Sequence, residues 1–200
     1  MQSWSGLHVP AESVLSLLDD APEAIGLTSG RWSAVKLLAL ALKRVGQPAA
    51  IDCWSWTLSR RAIDRLRAWH TAGDVQVRLV VDSSLWRRQP SYGAALVASG
   101  VPFRACSTHV KAWRVSGPSG QFAMCGSGNL NLIRRAELVL LSRDVALAEW
   151  VAAMTNRAFA SVPEGAPRGD AAARDAALDR AFPSVSVRPS WAAGLPLLSK

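Results

Sequence analysis

An alternation of helix-like and strand-like apolar segments between residues 34 and 105 constrains the fold of this chain more than any other feature. The segment 34–45, AVKLLALALKRV, is interrupted by lysine and too short to span a bilayer, and Gly46 and Pro48 follow it. It is therefore predicted to be a core helix. The segment 49–58 is rich in β-branched and aromatic residues, so it is predicted to be a buried strand.

The same order of elements repeats further along the chain. Ser59 is predicted to cap a second helix that ends at Gly73, and 75–82, VQVRLVVD, is predicted to be a strand. A third helix over 91–100 precedes a short extended piece. Because strands that alternate with helices are typical of parallel sheets, the chain is predicted to be an α/β sandwich with a mostly parallel mixed sheet.

Three more elements are predicted before residue 160. Residues 109–115 and 121–125 flank the turn-rich sequence SGPSG and are predicted to be a hairpin or two neighbouring strands. The segment 136–142, AELVLLS, is predicted to be a strand, and Asp144 is predicted to cap a helix that runs to about Phe159.

The length and composition predict one domain with a tail. Two hundred residues of which 50% are hydrophobic are enough for one compact core, which we assign to 1–160. Beyond it the composition shifts to Pro, Gly, Ala and Ser, so 161–200 is predicted to be a loosely attached tail with a helical stretch over 171–182.

The net charge and the cysteines limit which partners and which cellular compartment are expected for the chain. The net charge is +8, which concentrates polyanions such as nucleic acid or acidic lipid headgroups. The N-terminus lacks a secretory pattern, and no integral membrane association is expected. The three cysteines, Cys53, Cys106 and Cys125, are widely spaced without a C-x-x-C pair, which favours free thiols and a cytoplasmic location.

Residues 107–131, STHVKAWRVSGPSGQFAMCGSGNLN, hold the candidate chemistry. His109 and Lys111 stand two apart in a predicted strand, so both side chains are expected on one face, about 7 Å apart along the chain. A neutral imidazole is a nucleophile or base near pH 7, and an ammonium can hold a phosphate oxygen. The turn G-S-G-N at 126–129 supplies donors that can cradle an anion. These residues together predict a phosphodiester site.

The two motifs resemble those of the phospholipase D superfamily, whose pattern is H-x-K-x4-D followed by G-S-x-N. H-V-K at 109–111 and G-S-G-N at 126–129 match this pattern, and the order of elements over 49–144 agrees with it. The resemblance implies an α/β/α fold of the phospholipase D type. It also implies a phosphodiesterase that works through a phosphohistidine intermediate, without a metal ion or cofactor.

The resemblance further implies a role for each matched residue. His109 would be the nucleophile or the general acid, and the other matched residues would neutralise and orient the phosphate. Those residues are Lys111, Asn129, Ser127, Gly126 and Gly128.

The chain departs from the family pattern at the motif aspartate. Ser116 stands five residues after Lys111, where the family has aspartate, and the one acid between 83 and 143 is Glu137. Similar proteins often carry a glutamate at the position of Glu137. We therefore expect Glu137 to hold the His109 ring by a hydrogen bond to its other nitrogen.

The implied mechanism needs two histidine motifs, and the sequence holds one. His8 and His70 have no lysine two residues on and no G-S-x-N behind them. A symmetric homodimer would bring two copies of His109 together in a shared active site, so dimerisation is predicted.

Trp113 and Arg114 are predicted to be further substrate-binding residues. Trp113 follows Lys111 by two residues and is expected on its face, whereas Arg114 belongs to an excess of basic residues. Between 83 and 143 eight lysines and arginines stand against one acid, which favours an extended phosphate chain as the substrate.

The sequence therefore predicts a metal-independent nuclease acting on DNA or RNA. One alternative is a phospholipid hydrolase or phosphatidyltransferase, against which stands the absence of a membrane segment or a clear amphipathic anchor. The other alternative is a catalytically inactive nucleic-acid-binding protein, which the serine at position 116 motivates.

Overall fold

The computed structural model describes residues 2–3, 10–28, 32–131, 137–165 and 167. Helices in these ranges are α1 (Ala11–Asp20), α2 (Ala34–Val45), α3 (Arg60–Thr71), α4 (Leu85–Arg88), α5 (Pro90–Ser99) and α6 (Val145–Ser161). Strands are β1 (Gln2–Ser3), β2 (Glu23–Thr28), β3 (Ala49–Ser55), β4 (Val75–Asp82), β5 (Phe103–Cys106), β6 (Ala112–Gly117), β7 (Gly120–Gly126) and β8 (Glu137–Ser142).

One mixed sheet joins these strands in the order β1-β2-β8-β7-β6-β3-β4-β5. The predicted α/β class is confirmed. The sheet differs from the prediction in its strand directions, because β2–β8, β8–β7, β7–β6 and β6–β3 are antiparallel and the other neighbours are parallel. The predicted hairpin, β6–β7, accounts for part of this difference, since a tight turn always returns the chain antiparallel.

Helices cover both faces of the sheet. The five helices α1 to α5 bury one face, where Leu37, Leu66 and Leu96 join the core that also contains Trp113. On the other face α6 packs against β3 to β7, with Val151 in a cluster with Trp54 and other apolar side chains. The α/β/α arrangement is thus confirmed.

Side-chain caps set the starts of the long helices. The Ser59 hydroxyl accepts a hydrogen bond from the amide of Ala62 at 3.2 Å, and the Asp144 carboxylate accepts one from the amide of Ala146 at 2.8 Å. Both caps were predicted from the sequence, and each satisfies an amide that the helix itself leaves unpaired. Ser33 caps α2 in the same way, at 3.2 Å from the amide of Lys36.

The face of β2 and β8 opposite α1 carries apolar side chains that α6 does not cover. Leu27 and Leu138 lie opposite each other in the antiparallel ladder and are 38% and 53% exposed. Ile25 and Leu140 form the next pair along these strands and are half-buried. We call these four residues the open apolar face.

The predictions for the C-terminal tail and for its boundary with the domain fall mostly outside the described residues. The predicted tail over 161–200 is described for 161–165 and 167, so its looseness and its helical stretch lie outside the described residues and the domain boundary stays a prediction. Within the described part, no helix has the length and apolar character to cross a bilayer.

Candidate active site

The six strands β3 to β8 each have one end at the edge of the sheet where both motifs lie, and β2 ends there too, with Thr28 opposite Glu137. The parallel strands β3, β4 and β5 have their carboxyl ends at this edge, where ligands commonly bind in α/β sheets. Because β6 and β8 run antiparallel to their neighbours, each begins where those strands end. The residues at the six strand ends are Ser55, Asp82, Cys106, Ala112, Gly126 and Glu137.

His109 lies in the connection between β5 and β6 and is exposed. The strand predicted from His109 begins three residues later, at Ala112. The cause is local, because the Thr108 hydroxyl accepts a hydrogen bond from the amide of Val110 at 3.2 Å and closes a turn there. The His109 ring meets the Trp56 ring edge to face, with centroids 5.2 Å apart.

Lys111 is buried, with 9% of its surface exposed, and folds back on the same connection. Its Nζ donates a hydrogen bond to the carbonyl oxygen of His109 at 2.9 Å. Burial lowers the pKa of Lys111 below its usual value of 10.5, and the nearby Glu137 carboxylate partly opposes this shift. The ammonium therefore lies beside His109, held by the backbone rather than by strand alternation.

Asn129 is 7% exposed and is tied to the end of β3. Its Oδ1 accepts a hydrogen bond from the amide of Thr57 at 3.2 Å, and the next amide, that of Leu130, donates to the Ser55 hydroxyl at 3.0 Å. Because these bonds involve residues on either side of Trp56, the Asn129 turn and the His109 ring share one support. The Ser55 hydroxyl also lies 3.5 Å from the Asn129 Oδ1, so two groups at the end of β3 fix the position of this amide.

Glu137 pairs with Ser127, where the sequence led us to expect a bond to His109. The Ser127 hydroxyl donates to the Glu137 carboxylate and accepts from the amide of Leu138 at 3.0 Å. The described contacts of the His109 ring are with Trp56, so the expected orienting hydrogen bond from Glu137 is absent from the described residues. Glu137 instead fixes the turn that carries Asn129 and acts on Lys111 by its charge.

One glycine of the motif, Gly126, is required by the close packing of β7 and β8. A Cβ atom on Gly126 would overlap the carbonyl oxygen of Leu138, so no larger residue fits there. The Gly126 amide donates to the carbonyl oxygen of Lys111 at 3.1 Å, which joins the two motifs through the backbone. A Cβ atom on Gly128 would meet Val139 at an ordinary 3.9 Å.

Two of the predicted substrate-binding residues make their contacts in the core or on the opposite face of the sheet. Trp113 has no exposed surface and lies in the main core, because it is the second residue of β6 and points under the helices. Arg114 points to the opposite face, where its Nε lies 2.6 Å from Asp52, a buried carboxylate that also pairs with Arg78. Trp113 is therefore closed to a substrate, and the Arg114 guanidinium is already paired on the opposite face, which contradicts the substrate-binding roles predicted for both.

Ser116, which stands in place of the motif aspartate, lies far from His109. It pairs with Ala50 near the start of β3, at the other end of the sheet. Four residues of strand separate it from Ala112, which corresponds to about 13 Å. The substitution therefore takes no carboxylate away from the edge that carries His109.

Sequence reasoning missed Asp82, a buried carboxylate at the end of β4. It accepts hydrogen bonds from the amides of Ser84 and Thr108, both at 3.0 Å, as well as from the Ser84 hydroxyl. Thr108 precedes His109, so Asp82 anchors the connection that carries the histidine. Its position at the carboxyl end of an apolar strand is a signal that the sequence did contain.

Arg88 and Trp56 were also missed. The Arg88 guanidinium lies 3.8 Å from the centre of the Trp56 ring and donates to the Trp56 carbonyl oxygen at 2.8 Å. Its Nε donates to the Ser84 hydroxyl at 2.9 Å. Trp56 is thus held between a cation and the His109 ring.

The other histidines lie away from this edge or outside the described residues. His70 lies in the last turn of α3, and position 8 is outside the described ranges. Of the two histidines in the described ranges, His109 is the one at this edge.

Comparisons with known proteins show the fold. No family model matches the sequence, and no curated protein matches it. The structure is similar to Nuc from Salmonella typhimurium, a phospholipase D family member, with a TM-score of 0.54 and 20% identity over 72% of this chain and 98% of that one. It is also similar to polyphosphate kinase from Porphyromonas gingivalis, with a TM-score of 0.52 and 15% identity over 82% of this chain and 27% of that one. The fold expected from the sequence motifs is therefore the fold that these proteins share.

Proposed function

We propose that this protein is a metal-independent phosphodiesterase of the phospholipase D type that cleaves nucleic acid. The observation that carries the proposal is that an exposed histidine, a buried lysine and a buried asparagine lie at one edge of the sheet and are linked by short contacts. His109 touches Trp56, Asn129 is bonded to the residue after Trp56, and Lys111 is bonded to the backbone carbonyl oxygen of His109. The fold shared with Nuc supports this proposal.

The proposed reaction has two steps. A nitrogen lone pair of His109 attacks phosphorus, and the bond from phosphorus to the leaving oxygen breaks as a second imidazole gives that oxygen a proton. The products of this step are one free hydroxyl end and a phosphohistidine. Water, losing a proton to the second imidazole, then attacks phosphorus and releases a phosphate monoester and neutral His109.

Lys111 and Asn129 stabilise the charge that develops on the phosphoryl oxygens. The Lys111 ammonium is buried, so its attraction to an anion is weakened less by water than that of a surface lysine. The Asn129 amide is already fixed by its bond to Thr57 and therefore needs no reorganisation during the reaction.

The second imidazole is proposed to be the partner subunit's His109 in a twofold dimer. The open apolar face supports this, because it reaches the edge that carries His109 at Leu138, the second residue of β8, which is more than half exposed. Pairing of this face with its copy would bury apolar surface and bring the two edges together.

The first test is hydrolysis of plasmid, single-stranded DNA and a small phosphodiester in EDTA by wild type and His109→Ala. We expect the variant to lose at least about 10³-fold in rate on every substrate that wild type cleaves, because it lacks the nucleophile. His70→Ala is the matched control, since His70 lies in α3 away from the site, and it should retain the wild-type rate.

The outcomes separate this proposal from its rivals. Binding of DNA without cleavage by wild type would favour an inert nucleic-acid reader, and activity confined to lipid vesicles would favour a phospholipase. Equal rates for wild type and His109→Ala would contradict the mechanism directly.

A further inference from the structure

A groove lies between the first turns of α2 and α3 and reaches Asn131, two residues after Asn129. It has a volume of about 320 Å³ and is lined by the cationic side chains of Lys36, Arg61 and Arg65 together with neutral residues. None of the residues that line it is acidic. Lys36 pairs with Glu12, which lies outside these walls, at 3.2 Å, so the unneutralised charge of the groove is that of Arg61 and Arg65.

The groove adjoins the turn that carries Asn129. A crevice lined by Asn129 and Glu137 shares three of its walls with the groove, namely Trp32, Ser33 and Asn131. The crevice has a volume of about 10 Å³, which is too small for a nucleotide, so an extended chain bound at Asn129 would cross the surface above it toward Arg61.

The groove cations lie where the helix dipole disfavours them. Arg61 is in the first turn of α3 and Lys36 in the first turn of α2, and neither turn contains an acid. Positive side chains at a helix N-terminus oppose the macrodipole, and Arg61 and Arg65, at i and i+4, also repel each other. This arrangement lowers helix stability and raises the positive potential over the groove.

Arg61 and Arg65 are also without carboxylate partners in the described ranges. On the same helix Arg60 pairs with Asp64 at 3.1 Å, whereas Arg65 has as its described contact the ring of Trp69, at 5.9 Å. Both groove arginines are exposed. They are therefore free to bind an external anion.

We infer that this groove binds the backbone of single-stranded nucleic acid next to the phosphate that is cleaved. The inference rests on the nuclease function proposed above and adds where the strand runs. A flexible single strand can bend over the surface between the site and the groove. A polyanion also supplies the regularly spaced charges that Arg61 and Arg65, one helical turn apart, can hold.

The test measures binding of a fluorescein-labelled single-stranded 20-nucleotide DNA by anisotropy across a range of NaCl concentrations. All proteins carry His109→Ala so that no cleavage occurs. We expect the double variant Arg61→Gln, Arg65→Gln to bind roughly tenfold or more weakly in low salt. Its slope of log K against log salt should be shallower by about 1.4, since each lost phosphate contact accounts for about 0.7.

Arg67→Gln is the matched control, because Arg67 is an exposed arginine of the same helix that does not line the groove. It should leave the salt slope at the value of its parent. An unchanged slope in the double variant, an equal loss in Arg67→Gln, or no binding of the oligonucleotide by the parent would each overturn the inference. Circular dichroism melts of all variants exclude unfolding as the cause of any loss.

A small diester separates this inference from the proposed function. Bis-p-nitrophenyl phosphate is too short to reach the groove, so its hydrolysis by wild type and its loss in His109→Ala report on the chemistry alone. Hydrolysis together with an unchanged salt slope refutes the groove and leaves the proposed function standing. A changed slope without any hydrolysis supports the groove and refutes the catalytic proposal.

Discussion

Lys111 is buried next to an exposed histidine, and this position makes its protonation a sensitive feature of the site. Burial lowers the pKa of Lys111, and the Glu137 carboxylate raises it again in part. The ammonium binds phosphate in the proposed mechanism, so activity should fall as pH rises through that pKa, which lies below 10.5. For stability the sign is opposite, because a buried charge is unfavourable and its loss toward pH 10.5 relieves the folded state.

Glu137→Gln tests this coupling. The substitution removes the negative charge that raises the pKa of Lys111 but keeps an acceptor for the Ser127 hydroxyl. We therefore expect the alkaline limb of the kcat/KM profile to move to lower pH. The measurement is hydrolysis of a small phosphodiester from pH 6 to 10.

Glu149→Gln serves as its control, because Glu149 is an exposed carboxylate of α6 on the other side of the molecule. Its profile should coincide with that of wild type. An alkaline limb that stays in place or moves upward in Glu137→Gln would show that Glu137 does not act on the lysine.

At this scale the sequence located the reactive groups but not all of their neighbours. His109, Lys111 and Asn129 could be found because a motif fixes their spacing, and the structure brings all three to one edge. Trp113 and Arg114 were misplaced, since strand alternation starts only at Ala112 and both faces of β6 are covered by helices. The contacts of Trp56 and Arg88 depend on chain crossings that spacing does not reveal.

Among the elements, the turn from β4 into α4 connects the sheet to the histidine. The Asp82 carboxylate holds the amide of Ser84 on its own turn and the amide of Thr108 on the neighbouring connection. It is therefore a positioning residue that acts through the backbone before His109.

Asp82→Asn should weaken this connection. The new side chain carries an NH2 group in place of one carboxylate oxygen. This group is a donor and cannot pair with a backbone N–H, so one buried hydrogen bond is lost. We expect a loss of about 1–3 kcal/mol in the free energy of unfolding, measured by urea denaturation. We also expect a lower kcat with a nearly unchanged KM, because the histidine loses its support rather than the substrate its contacts.

Asp64→Asn gives the comparison, since Asp64 forms an exposed ion pair with Arg60 on α3. Such a pair contributes at most about 1 kcal/mol, and the catalytic constants should not move. If Asp82→Asn has the stability and kcat of wild type, the anchoring role is wrong.

Helices and strands that carry a clear local signal in the sequence could be predicted from it. The caps Ser59 and Asp144 and the apolar runs of β3 and β4 were readable from sequence, and they are present. The directions of the strands in the sheet could not be predicted in this way, because no local pattern in the sequence indicates that β8 lies beside β2. The N-terminal elements α1 and β2 carried no motif and drew no prediction.

For the whole molecule, the open apolar face is the feature that relates one chain to another. Leu27→Lys places a charge on this face without touching the catalytic residues, and charge burial between two copies is unfavourable. Wild type should sediment as a dimer and Leu27→Lys as a monomer with a rate of hydrolysis at least about tenfold lower.

Val97→Lys controls for the added charge, because Val97 is an exposed apolar residue of α5 outside that face. It should remain dimeric and active. A wild-type protein that sediments as a monomer and still hydrolyses diesters would mean that each chain completes its own reaction.

The pairing of β2 with β8 also has a consequence for synthesis on the ribosome. Glu23 leaves the exit tunnel long before its ladder partner Ser142, the last residue of the last described strand. The side of β2 that pairs with β8 can therefore be completed only after all the other described strands have been made. Until then it is an unpaired strand edge, the kind of surface that favours contacts with other chains during folding.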